Sequence, residues 1–177
     1  MTIGFVGGIR YFEINKKIIQ AFANSEAYSL LYAGKQHPGC DLQMFCTENG
    51  IRNVKFLPAY RDNEKPQIYQ SINIINSVYG NTTSEVQTAL PNKLYDAVLY
   101  KKPIIVSRNT YLHEIVEYYN IGLGISLDKN ISRNIDDYIA NFDQKLFDIG
   151  CEIFLEQAYR EKKIAMDSID VFFKAMK

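Results

Sequence analysis

Short apolar runs recur along this chain with amphipathic stretches between them: Ile3–Val6, Tyr28–Ala33, Val54–Leu57, Ile72–Val78, Ile104–Ser107 and a weaker Gly122–Ile125. Most are continuous rather than alternating, which is the pattern of strands covered on both faces of a parallel sheet. Between them, Ile14, Ile18, Ile19 and Phe22 share one helical face, as do Leu94, Ala97 and Val98, and again Leu112, Ile115, Val116 and Tyr119. Thr110 is placed to cap the last of these helices, and Gly122 to stop it. Strand–helix–strand repeats cross right-handedly, so the expected fold is α/β: a doubly wound parallel sheet of about six strands with helices on both faces. From Cys151 to Met176 the pattern is one long helix with Phe154, Ala158, Ala165, Ile169, Phe172 and Met176 on one side. Periodicity leaves open whether that side pads the domain's own core or docks on a partner domain.

The 177 residues make one domain at ~150 residues per domain. Twenty basic residues balance twenty acidic ones, and a pI near 6.7 argues against a chain that coats nucleic acid or an anionic membrane. Cys40, Cys46 and Cys151 cannot all pair and match no zinc spacing, so they read as buried thiols of a reducing cytoplasm. No run approaches the ~20 apolar residues of a membrane span. Strand residues begin at Ile3, without the basic region and cleavage site of a secretory signal. Such an abrupt start reads as that of a fragment whose remainder lies upstream.

In open α/β sheets the ligand lies beyond the carboxyl ends of the strands, near the point where strand order reverses. Two segments suit that place. In Val6-Gly7-Gly8-Ile9-Arg10 the glycines allow a tight turn and close approach of an anion. Arg10 adds a fork suited to phosphate oxygens. The spacing is neither a full Gly-x-Gly-x-x-Gly fingerprint nor a Walker A loop, and a plain turn with a solvated arginine stays open. In Ala89-Leu90-Pro91-Asn92-Lys93-Leu94-Tyr95-Asp96-Ala97, Pro91 suits a helix start. Asn92 and Lys93 then offer free backbone N–H groups, Lys93 a positive charge, and Asp96 a carboxylate for ribose hydroxyls. The alternative is that Lys93 and Asp96 merely face solvent.

Taken together, Phe5-Val6-Gly7-Gly8-Ile9-Arg10, Tyr32-Ala33-Gly34, Val54-Lys55-Phe56-Leu57 and Pro91-Asn92-Lys93-Leu94-Tyr95-Asp96-Ala97 with Lys102-Pro103-Ile104-Ile105-Val106 resemble the C-terminal half of GT-B glycosyltransferases. The resemblance is to group 1 bacterial enzymes of capsule, O-antigen and exopolysaccharide synthesis, and it runs from Ile3 to about Ile125. It implies a single Rossmann-like domain, residues 1–177, that holds a nucleotide-diphospho-sugar. Gly7, Gly8 and Arg10 would meet the diphosphate from one side, and Asn92 and Lys93 from the other. Asp96 would meet the ribose, and the base would stack near Pro58 and Tyr60. Thr88 stands eight residues before Asp96, where many relatives carry a donor-sugar glutamate. Relatives also place a lysine soon after the diphosphate arginine; neither Lys16 nor Lys17 is assigned that role.

The resemblance implies a hexosyl transfer without a metal cofactor, and the chain has no Asp-x-Asp to hold one. The donor would be a nucleotide-sugar, UDP favoured over GDP, and the acceptor a sugar or lipid-linked chain held by a missing N-terminal domain. That domain would also carry any catalytic base, leaving this fragment alone inactive. The full-length enzyme would be cytoplasmic or peripheral at the inner face of the membrane, with no nucleic-acid partner. His37, in a loop before Pro38-Gly39, reads as a surface residue, and His113 as a partly buried helix residue. Three other readings stand beside this one: half of a sugar-nucleotide epimerase of similar fold, a receiver-type domain, and a noncatalytic nucleotide-binding or interaction module.

Overall fold

The computed structural model describes residues 1–128 and 130–175. Six strands form one sheet: β1 (Thr2–Val6), β2 (Ser29–Ala33), β3 (Val54–Leu57), β4 (Ile74–Ser77), β5 (Ile104–Ser107) and β6 (Gly122–Ile125). Their order is β3-β2-β1-β4-β5-β6, and every pairing is parallel. The helices are α1 (Phe12–Ala21), α2 (Leu42–Glu48), α3 (Lys65–Gln70), α4 (Ser84–Thr88), α5 (Asn92–Leu99), α6 (Tyr111–Tyr118), α7 (Ile131–Ala140) and α8 (Gln144–Ala175). This is the doubly wound, Rossmann-like α/β fold expected from the sequence, with its long final helix.

Both faces of the sheet are covered, which is why the strands read as continuous apolar runs. Ile3, Phe5, Tyr32, Ile74 and Ile105 face one layer with Ile18 and Ile19 of α1, Leu42 and Phe45 of α2, and Ile131 and Ile135 of α7. Val6, Leu31, Ala33, Ile75, Ile104 and Val106 face the other layer. There they meet Tyr69 of α3, Leu94 and Val98 of α5, Val116 of α6, and Phe147, Cys151 and Phe154 of α8. Successive strand residues alternate between the two layers, and both sets are apolar. All three cysteines are buried free thiols, and burial pushes the Cys151 thiol up to about 11.

Local differences from the sequence reading have local causes. β2 begins one residue after Tyr28, and β4 begins two residues after Ile72. Ile72 instead fills the space under Gly4, where a β-carbon would lie 2.2 Å from its Cδ1. Thr110 caps α6 as expected, its hydroxyl accepting from the His113 amide at 3.2 Å. The stop is not Gly122 but Asn120, which takes the left-handed φ of 53° just past the helix. Gly122 is already in β6, and a β-carbon there would lie 1.9 Å from the Ile104 carbonyl oxygen.

α8 starts earlier than its apolar stripe, because the Asp143 carboxylate accepts from the Lys145 and Leu146 amides at 2.9 and 3.0 Å. Its first half pads the core through Phe147, Cys151 and Phe154, whereas every residue from Tyr159 to Lys174 is exposed, Ile169 and Phe172 included. Met176, assigned to the same stripe, lies outside the described residues. No described helix is long and apolar enough to cross a membrane.

A second close backbone contact lies between the ends of β1 and β2. Gly34 has φ +138°, and a β-carbon on it would lie 2.0 Å from the Gly7 carbonyl oxygen. Gly39 also has a left-handed φ, +78°, but nothing lies within 4 Å of its β-carbon position. Gly34→Ala is therefore expected to cost roughly 2 kcal/mol or more in urea unfolding, and Gly39→Ala only about 1 kcal/mol. Equal losses would show that backbone conformation alone, not the approach to Gly7, sets the cost.

Candidate functional site

Strand order reverses between β1 and β4, so the chain leaves these two neighbours in opposite directions and a crevice opens above them. One wall follows β1. Gly7, at φ +129°, donates its N–H to the Ala33 carbonyl at 2.8 Å, and a short bridge pairs Ile9 with Gln36. The bridge brings His37 back to the turn. Arg10 Nε lies 3.1 Å from His37 Nε2 and donates to it, which fixes the guanidinium over the crevice. Asn15, buried in the first turn of α1, holds the Arg10 and Tyr11 carbonyls with its side-chain amide, and Tyr11 takes a left-handed φ of 58°.

The other wall follows β4. The Ser107 hydroxyl at the end of β5 accepts from the Tyr79 and Gly80 amides at 3.1 and 2.9 Å, which turns the chain towards α4. Pro91, extended at ψ 151°, then launches α5. The two walls enclose a cleft of about 220 Å³ lined by Gly8, Arg10, Tyr11, Tyr79, Glu85, Val86, Ala89, Pro91 and Lys93.

Lys93 is the unusual residue of this cleft, because a cation of its kind is rarely so deeply buried. Only 7% of it is exposed. Its Nζ donates to the Tyr79 hydroxyl at 2.7 Å and sits 3.8 Å from the centre of the Phe5 ring and 5.1 Å from that of Tyr79. A β-carbon on Gly7 would come within 3.5 Å of Nζ, so the glycine keeps the ammonium's approach to the turn open. Burial is the main influence on Lys93 and pulls its pKa down to about 7; Asp96 opposes that pull and Lys65 adds to it. Two aromatic faces and one hydroxyl stabilise the ammonium only in part.

Asp96, one turn along α5, is also buried. It accepts from Lys65 Nζ and from the Tyr69 hydroxyl, each at 2.8 Å. Burial and then the Asp96 carboxylate push the Tyr69 hydroxyl far above its ordinary range. Tyr60 stands half-buried beside this group, raised mainly by burial against the lowering pull of Lys65, and Pro58 is exposed at the end of β3.

Of the residues nominated from sequence, Gly7, Gly8, Arg10 and Lys93 therefore meet at one cleft. Asn92 is exposed at the start of α5 beside it. Asp96 and Tyr60 form a neighbouring polar group with Lys65 and Tyr69. Thr88 is exposed at the end of α4, with its hydroxyl donating to the Ser84 carbonyl at 3.0 Å.

His37 is an exposed loop residue, as read from sequence, but its contact with Arg10 was not legible there. Tyr79, Glu85 and Lys65 were also missed, because each reaches the site from a loop or short helix without periodicity. His113 packs on Gly124 and lies 3.0 Å from a Glu117 oxygen without hydrogen-bond alignment, away from the cleft. A larger hollow of about 420 Å³ lies over the ends of β4, β5 and β6. Its Arg108 is spent on the Gly124 carbonyl and its Lys17 pairs with Asp128. Among the described residues, no three His, Cys, Asp or Glu side chains gather as a metal site would need.

No protein-family model matches the sequence, and no curated protein is significantly similar to it. Solved structures do share its fold. The Anabaena protein Alr3699/HepE in complex with UDP superposes with a TM-score of 0.72 at 17% identity, over 96% of this chain and 48% of that one. The C-terminal domain of the group 1 glycosyltransferase LpcC from Francisella tularensis matches with a TM-score of 0.55 at 17% identity, over 85% of this chain and 80% of that domain. WaaG, a glycosyltransferase involved in lipopolysaccharide biosynthesis, matches with a TM-score of 0.61 at 16% identity, over 85% and 40%. The fold is thus that of a domain found in glycosyltransferases, and the chain spans about half the length of the Anabaena protein.

The buried ammonium has a consequence for stability. An unfolded lysine titrates near 10.4, so between about pH 7 and 10 the unfolded chain binds the extra proton. The contribution of Lys93 to stability therefore rises with pH across that window and is most unfavourable at and below pH 7. Lys93→Met is expected to raise the thermal midpoint by several degrees at pH 7, at about 2–4 °C per kcal/mol, and by less at pH 9. A variant less stable than the parent at pH 7 would show that the ammonium supports the fold.

Proposed function

We propose that this chain is the donor-binding domain of a sugar transferase and holds a nucleotide-diphospho-sugar at the crevice between β1 and β4. The observation that carries the reading is the buried Lys93 ammonium facing Arg10 across the cleft, with Tyr79 as its one hydrogen-bond partner among the described residues. Such a pair, beside the start of α5 and a glycine turn open to close approach, suits a diphosphate better than any neutral ligand. The structures of similar fold solved with UDP and with UDP-glucose support the same assignment.

In this reading Gly7, Gly8, Arg10, Asn92 and Lys93 hold the diphosphate, and Asp96 reaches the ribose. To do so Asp96 shares its oxygens between the hydroxyls and its present partners, Lys65 and Tyr69. The base lies against Pro58 and Tyr60, and the sugar extends past Ala89 and Pro91 towards Thr88. Arg10, Lys93 and the α5 N-terminus then stabilise the negative charge that collects on the leaving diphosphate as the glycosidic bond breaks. No metal is assigned a part. The acceptor, a surface-polysaccharide or lipid-linked chain, belongs to a second domain, since the chain spans only half of the Anabaena protein. The cell compartment that fits these substrates is the cytoplasm or the inner face of the membrane.

Calorimetric titration with UDP, GDP, ADP and CMP tests this. A nucleoside diphosphate, UDP ahead of GDP, is expected to bind with Kd between about 10 μM and a few mM, ~1 mM being only ~4 kcal/mol. Arg10→Ala should cost about 1.5–3 kcal/mol of diphosphate affinity and leave the free nucleoside almost unaffected, whereas Asp96→Asn should weaken both. Absence of any nucleotide binding at 10 mM would remove the proposal. The chain alone is expected to transfer no sugar to added acceptors, because it cannot orient an attacking hydroxyl. Turnover of labelled UDP-sugar above hydrolysis would overturn that division of labour.

A further inference from the structure

Lys93 is a buried cation without an ion pair among the described residues. The nearest carboxylate on its own helix, Asp96, is committed to Lys65 and Tyr69. The hydroxyl of Tyr79 takes one of its three N–H donors, and the rings of Phe5 and Tyr79 cover its flanks. Across the cleft stand Arg10, a second cation, with His37 behind it, and the phenol of Tyr11. Glu85 lines the same cleft without an ion pair to either cation among the described residues. Behind α5, Lys65, Tyr69 and Tyr60 surround Asp96. A charged Lys93 is therefore unfavourable in the empty cleft and favourable only once an anion enters.

Building on the diphosphate reading, we infer that the anion and a proton bind together: a nucleoside diphosphate enters the cleft with uptake of a proton onto Lys93, which makes this lysine the residue that selects for ligand charge. In the empty protein burial holds Lys93 near 7, so above that pH most of the population is neutral. A diphosphate within hydrogen-bond reach supplies the missing negative charge and holds the proton on. The balance is simple: the proton comes from solvent or buffer, no covalent bond forms, and release of the diphosphate returns it. A free nucleoside brings no charge and gains nothing from Lys93, whereas a monophosphate, with close to two charges at pH 8, brings less than a diphosphate. Tyr79 is a positioning residue here, since its hydroxyl is what sets Nζ between the Phe5 ring and Gly7.

The direction of the pH effect follows. Affinity for the diphosphate levels off below about pH 7 and falls above it. The loss is about five-fold between pH 7 and pH 8 when the bound lysine titrates well above 8. The experiment is calorimetry of UDP, and separately of inorganic pyrophosphate, with the whole chain at pH 8 in buffers of different ionisation enthalpy. Close to one proton should be taken up per UDP. Lys93→Arg, charged at every pH, should bind UDP without proton uptake and with no fall between pH 7 and pH 8, and Tyr79→Phe should keep the uptake with weaker affinity. His37, whose imidazole accepts from Arg10, is the other proton-accepting side chain beside the proposed ligand. His37→Asn should retain the uptake, and its loss in that variant would move the proton to His37 and overturn the inference. UDP binding to the parent without proton uptake would overturn it too, while leaving the diphosphate reading intact. Failure of both UDP and pyrophosphate to bind would remove both.

Discussion

The central strand β1 pairs in parallel with β2 on one side and β4 on the other, and the rest of the architecture depends on that double pairing. Because successive connections leave it in opposite directions, the helices divide between two faces. The backbone at the end of β1 cannot be covered by either set. Close approach makes the pairing workable. Ile72 occupies the space that a side chain at Gly4 would need, and Gly34 sits against the Gly7 carbonyl. The same absence of side chains that lets β1 pack leaves an open backbone turn at the head of the crevice.

Into that crevice the fold places charge that it does not neutralise. The Lys65–Asp96–Tyr69 group is paired internally, whereas Lys93 and Arg10 face each other with, among the described residues, Tyr79 and His37 as their side-chain hydrogen-bonding neighbours. Burying an ammonium against two aromatic rings costs stability, and a domain of ordinary stability has little to spare. Retention of such an arrangement at the switch point, next to a helix start, makes physical sense where an anion repeatedly occupies it. The larger hollow over β4, β5 and β6 lacks this signature, since its Arg108 and Lys17 are each engaged within the protein.

The long final helix divides in function along its length. Up to Phe154 it is a core element, closing the layer formed by α3, α5 and α6. From Tyr159 onward it carries exposed apolar residues, Ile164, Met166, Phe172 and Phe173 among them. The chain is about half as long as the Anabaena protein of similar fold.

Sequence alone determined the six strands, the parallel sheet and the candidate turn. All three depend on composition over a few consecutive residues, and both-faces burial writes itself directly into continuous apolar runs. The same local logic marked Thr110 as a cap and Pro91 as a helix start. It misassigned the stop of α6 to Gly122, because whether a glycine serves a cap or a close strand contact depends on what lies across from it. Gly7, Gly8, Arg10 and Lys93 were legible as candidates, since glycines, a proline and basic residues at strand–helix junctions carry a local signal. What only the tertiary structure decided is which side chains meet. It buried Lys93 against Phe5 and Tyr79, brought His37 back to Arg10 through the Ile9–Gln36 bridge, and tied Asp96 to Lys65 and Tyr69. Those partners come from segments 14 to 88 residues apart, joined only when strands β1, β2 and β4 lie side by side, and no spacing along the chain encodes them.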